Sequence, residues 1–143
     1  MNEGELEIHN YKLQKCYGAI SRREPRHELA LAGDCDLLVA AWGTCARIAK
    51  GAVLKARARG LKAGLFRPVT LWPFPSAPLA SALRRARAAL VVEMNCGQML
   101  EDVRIASGGN AEIFFSGYPG GRVPSETDIL KAICRTAAEK RQR

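Results

Sequence analysis

The sequence has little of what most catalytic and metal sites are built from. Its 143 residues include two histidines, His9 and His27, both within the first thirty. That leaves scant material for a histidine-ligated metal or a Ser-His-Asp arrangement. Five cysteines stand at 16, 35, 45, 96 and 134, with no CxxC among them. Thiolate metal and redox motifs therefore have no support, and an odd count fits reduced thiols acting as small core residues. The longest unbroken apolar runs, residues 37–42 and 88–92, fall far short of the ~20 residues of a membrane helix, so no membrane partner is expected. The opening decapeptide MNEGELEIHN is acidic and polar, unlike a signal or transit peptide, and points to a cytoplasmic chain. The phosphate-cradling patterns GxGxxG and GxxxxGK[ST] are both absent.

Acidic residues are missing from one long stretch. Residues 37–92 carry ten basic side chains and no acidic one, so the net charge of +8 resides in the middle of the chain. A sequence pI of 9.6 invites a nucleic-acid reading. No aromatic-studded basic strand, zinc finger or helix-turn-helix pattern accompanies the charge, so no nucleic-acid partner is expected. A solvated basic face, or a contact surface for an acidic subunit or an anionic ligand, accounts for it.

What is present reads as regular alternation. An apolar share of 48% and a charged share of 25% are those of a globular domain, and the length suits one. The arm, 1–33, holds a helix over 11–20 with Leu13, Tyr17 and Ile20 on one face, ended by Pro25, and a short edge strand near 28–31. The domain proper, 34–143, cycles four times between strand and helix. Strands are expected at 37–42, 62–66, 88–94 and 112–116. The helices between and after them start at Thr44, Ser76, the Asn95/Gln98 pair and Ser125, each read as a capping residue. Four such cycles imply an α/β fold: an open, mainly parallel sheet in a three-layer αβα sandwich.

Ligands of open α/β sheets collect beyond the carboxyl ends of the strands. Four loops qualify. Gly43 and Thr44 form a strand-to-helix turn able to meet an anion, or simply a tight turn and its cap. In 67–75, which contains Arg67, Thr70, Trp72 and Phe74, three prolines fix the path while two aromatics supply apolar area for packing within the fold or on another subunit. Glu93 ends an apolar strand beside Asn95 and Gln98, as a base or as a carboxylate held by backbone N–H groups or an arginine. Gly120 and Gly121 lie in a glycine-proline loop. No complete catalytic set occurs, so no residue is assigned as catalytic and none as a metal ligand.

The strings DLLVAAWGT at 36–44, GLFRPVTLWPFP at 64–75, VVEMNCGQMLEDVR at 91–104, GYPGG at 117–121 and VP at 123–124 resemble, in order and spacing, the carboxyl-terminal domain of the α subunit of 2-oxoacid:ferredoxin oxidoreductases, the 2-ketoisovalerate type above all. The resemblance covers roughly residues 9–133 and departs from the family at Trp42, where tyrosine is common, and at Cys45 and Cys96. It implies a transketolase carboxyl-terminal-like fold and a place in a complex that turns a 2-oxoacid and coenzyme A into acyl-CoA, CO2 and reduced ferredoxin. It further implies that this chain alone binds no cofactor and is inactive. The GDG and Asn-Asn elements of a thiamine diphosphate site are absent here. Thiamine diphosphate, Mg2+ and iron–sulfur clusters are then expected on other polypeptide. The implied partners are the remaining α-subunit domain, a thiamine-binding β subunit, and γ and ferredoxin-like δ subunits, with a homodimer as a further option. A stand-alone module holding phosphate or coenzyme A through the basic 47–62 stretch and the Gly43-Thr44 turn is the alternative reading. A basic nucleic-acid-binding domain is the third.

Overall fold

The computed structural model describes residues 4–141. The unbroken apolar runs become the central strands β2 (Leu37–Ala41) and β4 (Ala88–Glu93), in which every residue is buried. Strands covered on both faces have no need of polar alternation. They pair in parallel with each other and with β3 (Ala63–Pro68) and β5 (Glu112–Gly117), and β1 (His27–Ala30) adds antiparallel to β3. The resulting order is β1-β3-β2-β4-β5. The edge strand foreseen near 28–31 is thus the sheet's fifth member, although it lies in the arm.

Helices α2 (Gly43–Ala58) and α5 (Glu126–Arg141) cover one face of the sheet. Leu37, Val39 and Leu90 meet Ala49, Val53, Ile129 and Ile133 there. Helices α3 (Ser76–Ala86) and α4 (Gln98–Ser107) cover the other, where Leu38, Phe66 and Val91 meet Leu79, Leu83 and Val103. Adjacent residues of one strand feed opposite cores, as a side-chain period of two requires. The expected three-layer αβα sandwich is what forms.

Three helix starts differ from expectation, and at α4 the preceding residue is Gly97 rather than Asn95. The residue preceding α2 is Trp42, still extended at φ −130°, and its carbonyl accepts the first helical bond from the Ala46 N–H. Thr44 is therefore one residue inside the helix and caps nothing. Gly43 makes the abrupt change from strand to helix with φ at +55°, a value that costs a residue with a Cβ. Likewise Pro75 precedes α3 and Ser76 is its first residue. The Ser125 cap is as read. Its hydroxyl accepts the Asp128 N–H at 3.1 Å, and the Asp128 carboxylate accepts the Ser125 N–H at 3.0 Å.

Helix α1 (Glu5–Arg23) runs longer than the 11–20 expected and has no buried residue among those described. The link between β1 and β2 is anchored by Arg57. Its guanidinium donates to the Leu31 carbonyl at 2.7 Å, the Ala63 carbonyl at 2.7 Å and the Asp34 carboxylate at 2.6 Å. The bond from Arg57 holds the Asp34 carboxyl below the ordinary aspartate range. A depressed folded-state pKa adds stability above the unfolded-state value and withdraws it as pH falls through the folded one. The denaturation midpoint of Asp34→Asn is therefore expected to lie below that of the parent above about pH 5 and to converge on it in stronger acid. Urea titrations of the two proteins across that range check this, and a gap unchanged by acid contradicts it.

Candidate functional site at the carboxyl rim of the sheet

Because β2, β3, β4 and β5 are parallel, the segments that follow them gather at one end of the sheet. Every loop singled out in the sequence lies there. At its centre is Glu93, the last residue of β4, with no solvent exposure. Its Oε2 accepts the Met99 N–H at 2.8 Å and an Asn95 side-chain N–H at 3.1 Å, and its Oε1 accepts the Leu100 N–H at 3.0 Å. Asn95 Oδ1 accepts the Gly97 and Gln98 N–H groups at 2.7 and 3.1 Å. Two side chains thereby satisfy the first three amides of α4, which have no partner inside the helix. The negative charge also meets the positive end of the helix dipole. Of the two roles open to Glu93, the geometry matches the carboxylate held by backbone N–H groups. Gly97, at φ +111°, lets the chain reverse into α4, and the Gln98 side-chain Oε1 accepts an Asn95 side-chain N–H at 3.5 Å.

The 67–75 loop is divided between fold and solvent. Thr70 is a structural clasp. Its hydroxyl accepts the Arg26 N–H and donates to the Pro73 carbonyl, both at 2.9 Å. Phe74 packs against the core that α3 and α4 cover. Trp72 does not: 60% of it is exposed, and its ring meets Tyr17 of α1 edge-on at 5.8 Å. Leu71 and Val69 are exposed beside it in sequence. Trp42 and Met94, just past β2 and β4, are 38% and 39% exposed. The rim therefore presents several large apolar side chains to solvent. Met94 was not legible as part of it. The available signal was a large apolar residue placed one position beyond a fully buried strand.

The remaining candidates stand apart. Arg67 pairs with Glu28 across β1 and β3 at 2.9 Å. Gly43 and Thr44 line a cavity with Arg67. Gly120 and Gly121, exposed and at φ +74° and +81°, shape the β5–α5 loop without touching Glu93 or Asn95. It is Gly117 that approaches the centre, since a Cβ there would sit 2.7 Å from the Asn95 carbonyl oxygen. All five cysteines are free. Among the described residues no three His, Cys, Asp or Glu side chains group so as to hold a metal ion. No described helix is long and apolar enough to cross a membrane.

Comparison with known proteins agrees with this architecture. The family model of the pyruvate:ferredoxin oxidoreductase core domain II matches residues 35–129. Ketoisovalerate oxidoreductase subunit VorB of Methanothermobacter marburgensis is 39% identical over 135 residues, 94% of this chain and 38% of that protein. The 2-oxoglutarate synthase subunit KorA of the same species is 37% identical over 100 residues, 70% of this chain and 27% of that one. The chain thus spans well under half the length of these curated relatives. Among solved structures, the 2-oxoglutarate:ferredoxin oxidoreductase from Magnetococcus marinus superposes with a TM-score of 0.77 at 20% identity, over 94% of this chain and 23% of that one. A split-gene transketolase, in an inactive β4 tetramer, gives 0.67 at 17% identity, over 79% and 41%. These two likenesses establish the transketolase-like fold. With the family match spanning most of the αβα sandwich, and the VorB relationship running nearly the whole length, the chain belongs to the pyruvate:ferredoxin oxidoreductase core domain II family.

Proposed function

We propose that this chain serves as the second core domain of a 2-ketoisovalerate-type 2-oxoacid:ferredoxin oxidoreductase. In this reading it is a packing component of a complex that makes acyl-CoA, CO2 and reduced ferredoxin from a 2-oxoacid and coenzyme A. The observation that carries the reading is the carboxyl rim. Its buried carboxylate is fully engaged in holding the 95–98 loop, and Trp42, Leu71, Trp72 and Met94 stand exposed on the segments that follow β2, β3 and β4. Exposed apolar groups of this size suit a protein neighbour, and the Glu93 carboxylate is taken up by the loop it holds.

The scattered cysteines do not fit an iron–sulfur cluster, and the described acidic residues do not gather for Mg2+. The reading therefore assigns thiamine diphosphate, Mg2+ and the clusters to neighbouring polypeptide. Those neighbours would be the remaining α-subunit domain, a thiamine-binding β subunit, and γ and ferredoxin-like δ subunits, in the cytoplasm. β1 of the arm completes the sheet, and α1, which has no buried residue among those described, is left open to a neighbouring subunit.

Reconstitution tests this. With thiamine diphosphate, coenzyme A and ferredoxin, the chain alone is expected to leave 2-ketoisovalerate unchanged. Co-expressed with those subunits it is expected to co-elute and to restore substrate-dependent ferredoxin reduction. Turnover by the chain alone, or elution apart from every subunit, refutes the proposal.

A further inference from the structure

The excess positive charge of the middle segment has a structural focus in one cavity. A cavity of about 670 Å3 opens between α2 and the β1–β3 edge. Its volume is within the range of small-molecule sites. Arg47 and Lys50 project into it from α2 and Arg67 from β3, three cations from two elements of the fold. One carboxylate, Glu28, answers them, and it is paired with Arg67 at 2.9 Å. Among the described residues neither Arg47 nor Lys50 forms an ion pair, and residues 37–92 contain no acidic residue. Thr44 is also in the lining, and among the described residues its hydroxyl has no hydrogen-bond partner. Leu29, 43% exposed, and Ala30 give the same cavity an apolar surface.

We propose that this cavity binds a small organic ligand bearing two or more phosphate charges. Arg47 and Lys50 would take the anionic groups, the Leu29 side the organic part, and Arg67 would join once the anion displaces Glu28. Charge-assisted bonds of this kind are about twice as strong as neutral ones, and guanidinium groups suit phosphate geometry. The site is independent of the complex proposed above, and its failure leaves that reading intact.

Calorimetric titration of the chain with inorganic pyrophosphate, and separately with ADP, tests the site. Saturable binding of pyrophosphate is expected, and tighter binding of ADP if the apolar surface takes the organic part. Equal affinities overturn that portion of the proposal. Arg47→Ala is expected to weaken binding about tenfold, the equivalent of one charge-assisted hydrogen bond. The Glu28 carboxylate competes with the ligand, so Glu28→Gln is expected to strengthen binding severalfold. Glu24→Gln, the same charge change at an exposed residue paired with Arg26, is expected to leave it unaltered. Absence of saturable heat at millimolar pyrophosphate, in protein shown by circular dichroism to be folded, overturns the proposal. So does an equal loss on Arg84→Ala in α3, which covers the opposite face, since it would mark diffuse charge alone.

Discussion

Glu93→Ala is expected to cost about 3–5 kcal/mol of folding stability, the range found when one side of a buried charged hydrogen-bond set is removed. The reason is local and countable. The carboxylate accepts from the Met99 and Leu100 amides and from the Asn95 side chain, and it is wholly buried. Alanine leaves two helix-initiating N–H groups in a dry site, each costing about 1–3 kcal/mol when unpaired, and opens a void beside them. Glu93→Gln separates charge from shape. It keeps the volume but turns one acceptor into a donor aimed at an N–H, and about 2–3 kcal/mol is expected. Chemical denaturation of the three proteins measures both values. Losses under about 1 kcal/mol for alanine would mean that water reaches these amides and that Glu93 does not hold the loop.

Trp72→Ala is expected to weaken association with the partner subunits by on the order of 30- to 1,000-fold, the effect of about 2–4 kcal/mol at an aromatic hot spot. The estimate rests on the proposed assembly and on exposure. Trp72 has more than half its surface in solvent, is held on a loop that Thr70 and three prolines make rigid, and leans on Tyr17. A rigid aromatic anchor loses little side-chain entropy on docking. The same exposure means that the isolated domain is expected to lose less than about 1 kcal/mol of stability. The paired readout, folding barely changed and association largely lost, distinguishes an interface residue from a core residue. Leu54→Ala, equally apolar and exposed on the outer side of α2, provides the control and is expected to leave association intact. Equal losses from both, or from neither, would remove Trp72 from the interface.

Helix caps show how far local signals reach. The Ser125–Asp128 box reads correctly from four consecutive residues, because its partners are sequence neighbours. Thr44 reads as a cap by composition alone. Where the helix starts depends on how long Trp42 stays extended as the end of β2, and that is set by pairing with β3 and β4. Asn95 was legible as a capping residue but acts from two positions before Gly97, because Glu93 already occupies the next amides.

By itself the amino-acid order determined the layered α/β architecture and the family. An apolar run or a helical stripe states locally which faces must leave water, and long motifs keep their spacing. Only the tertiary structure decided what the polar residues do. Glu93 was open between base and anchor until the β4–α4 turn brought the Met99 and Leu100 amides to its oxygens. Glu28 and Arg67, thirty-nine residues apart, carry no mark of each other until β1 and β3 pair. The cavity in which Arg47 and Lys50 meet Arg67 likewise exists only once α2 lies across that edge. Hydrophobic patterning records burial. It holds no record of which distant charge will stand opposite which, because that follows from strand order and register.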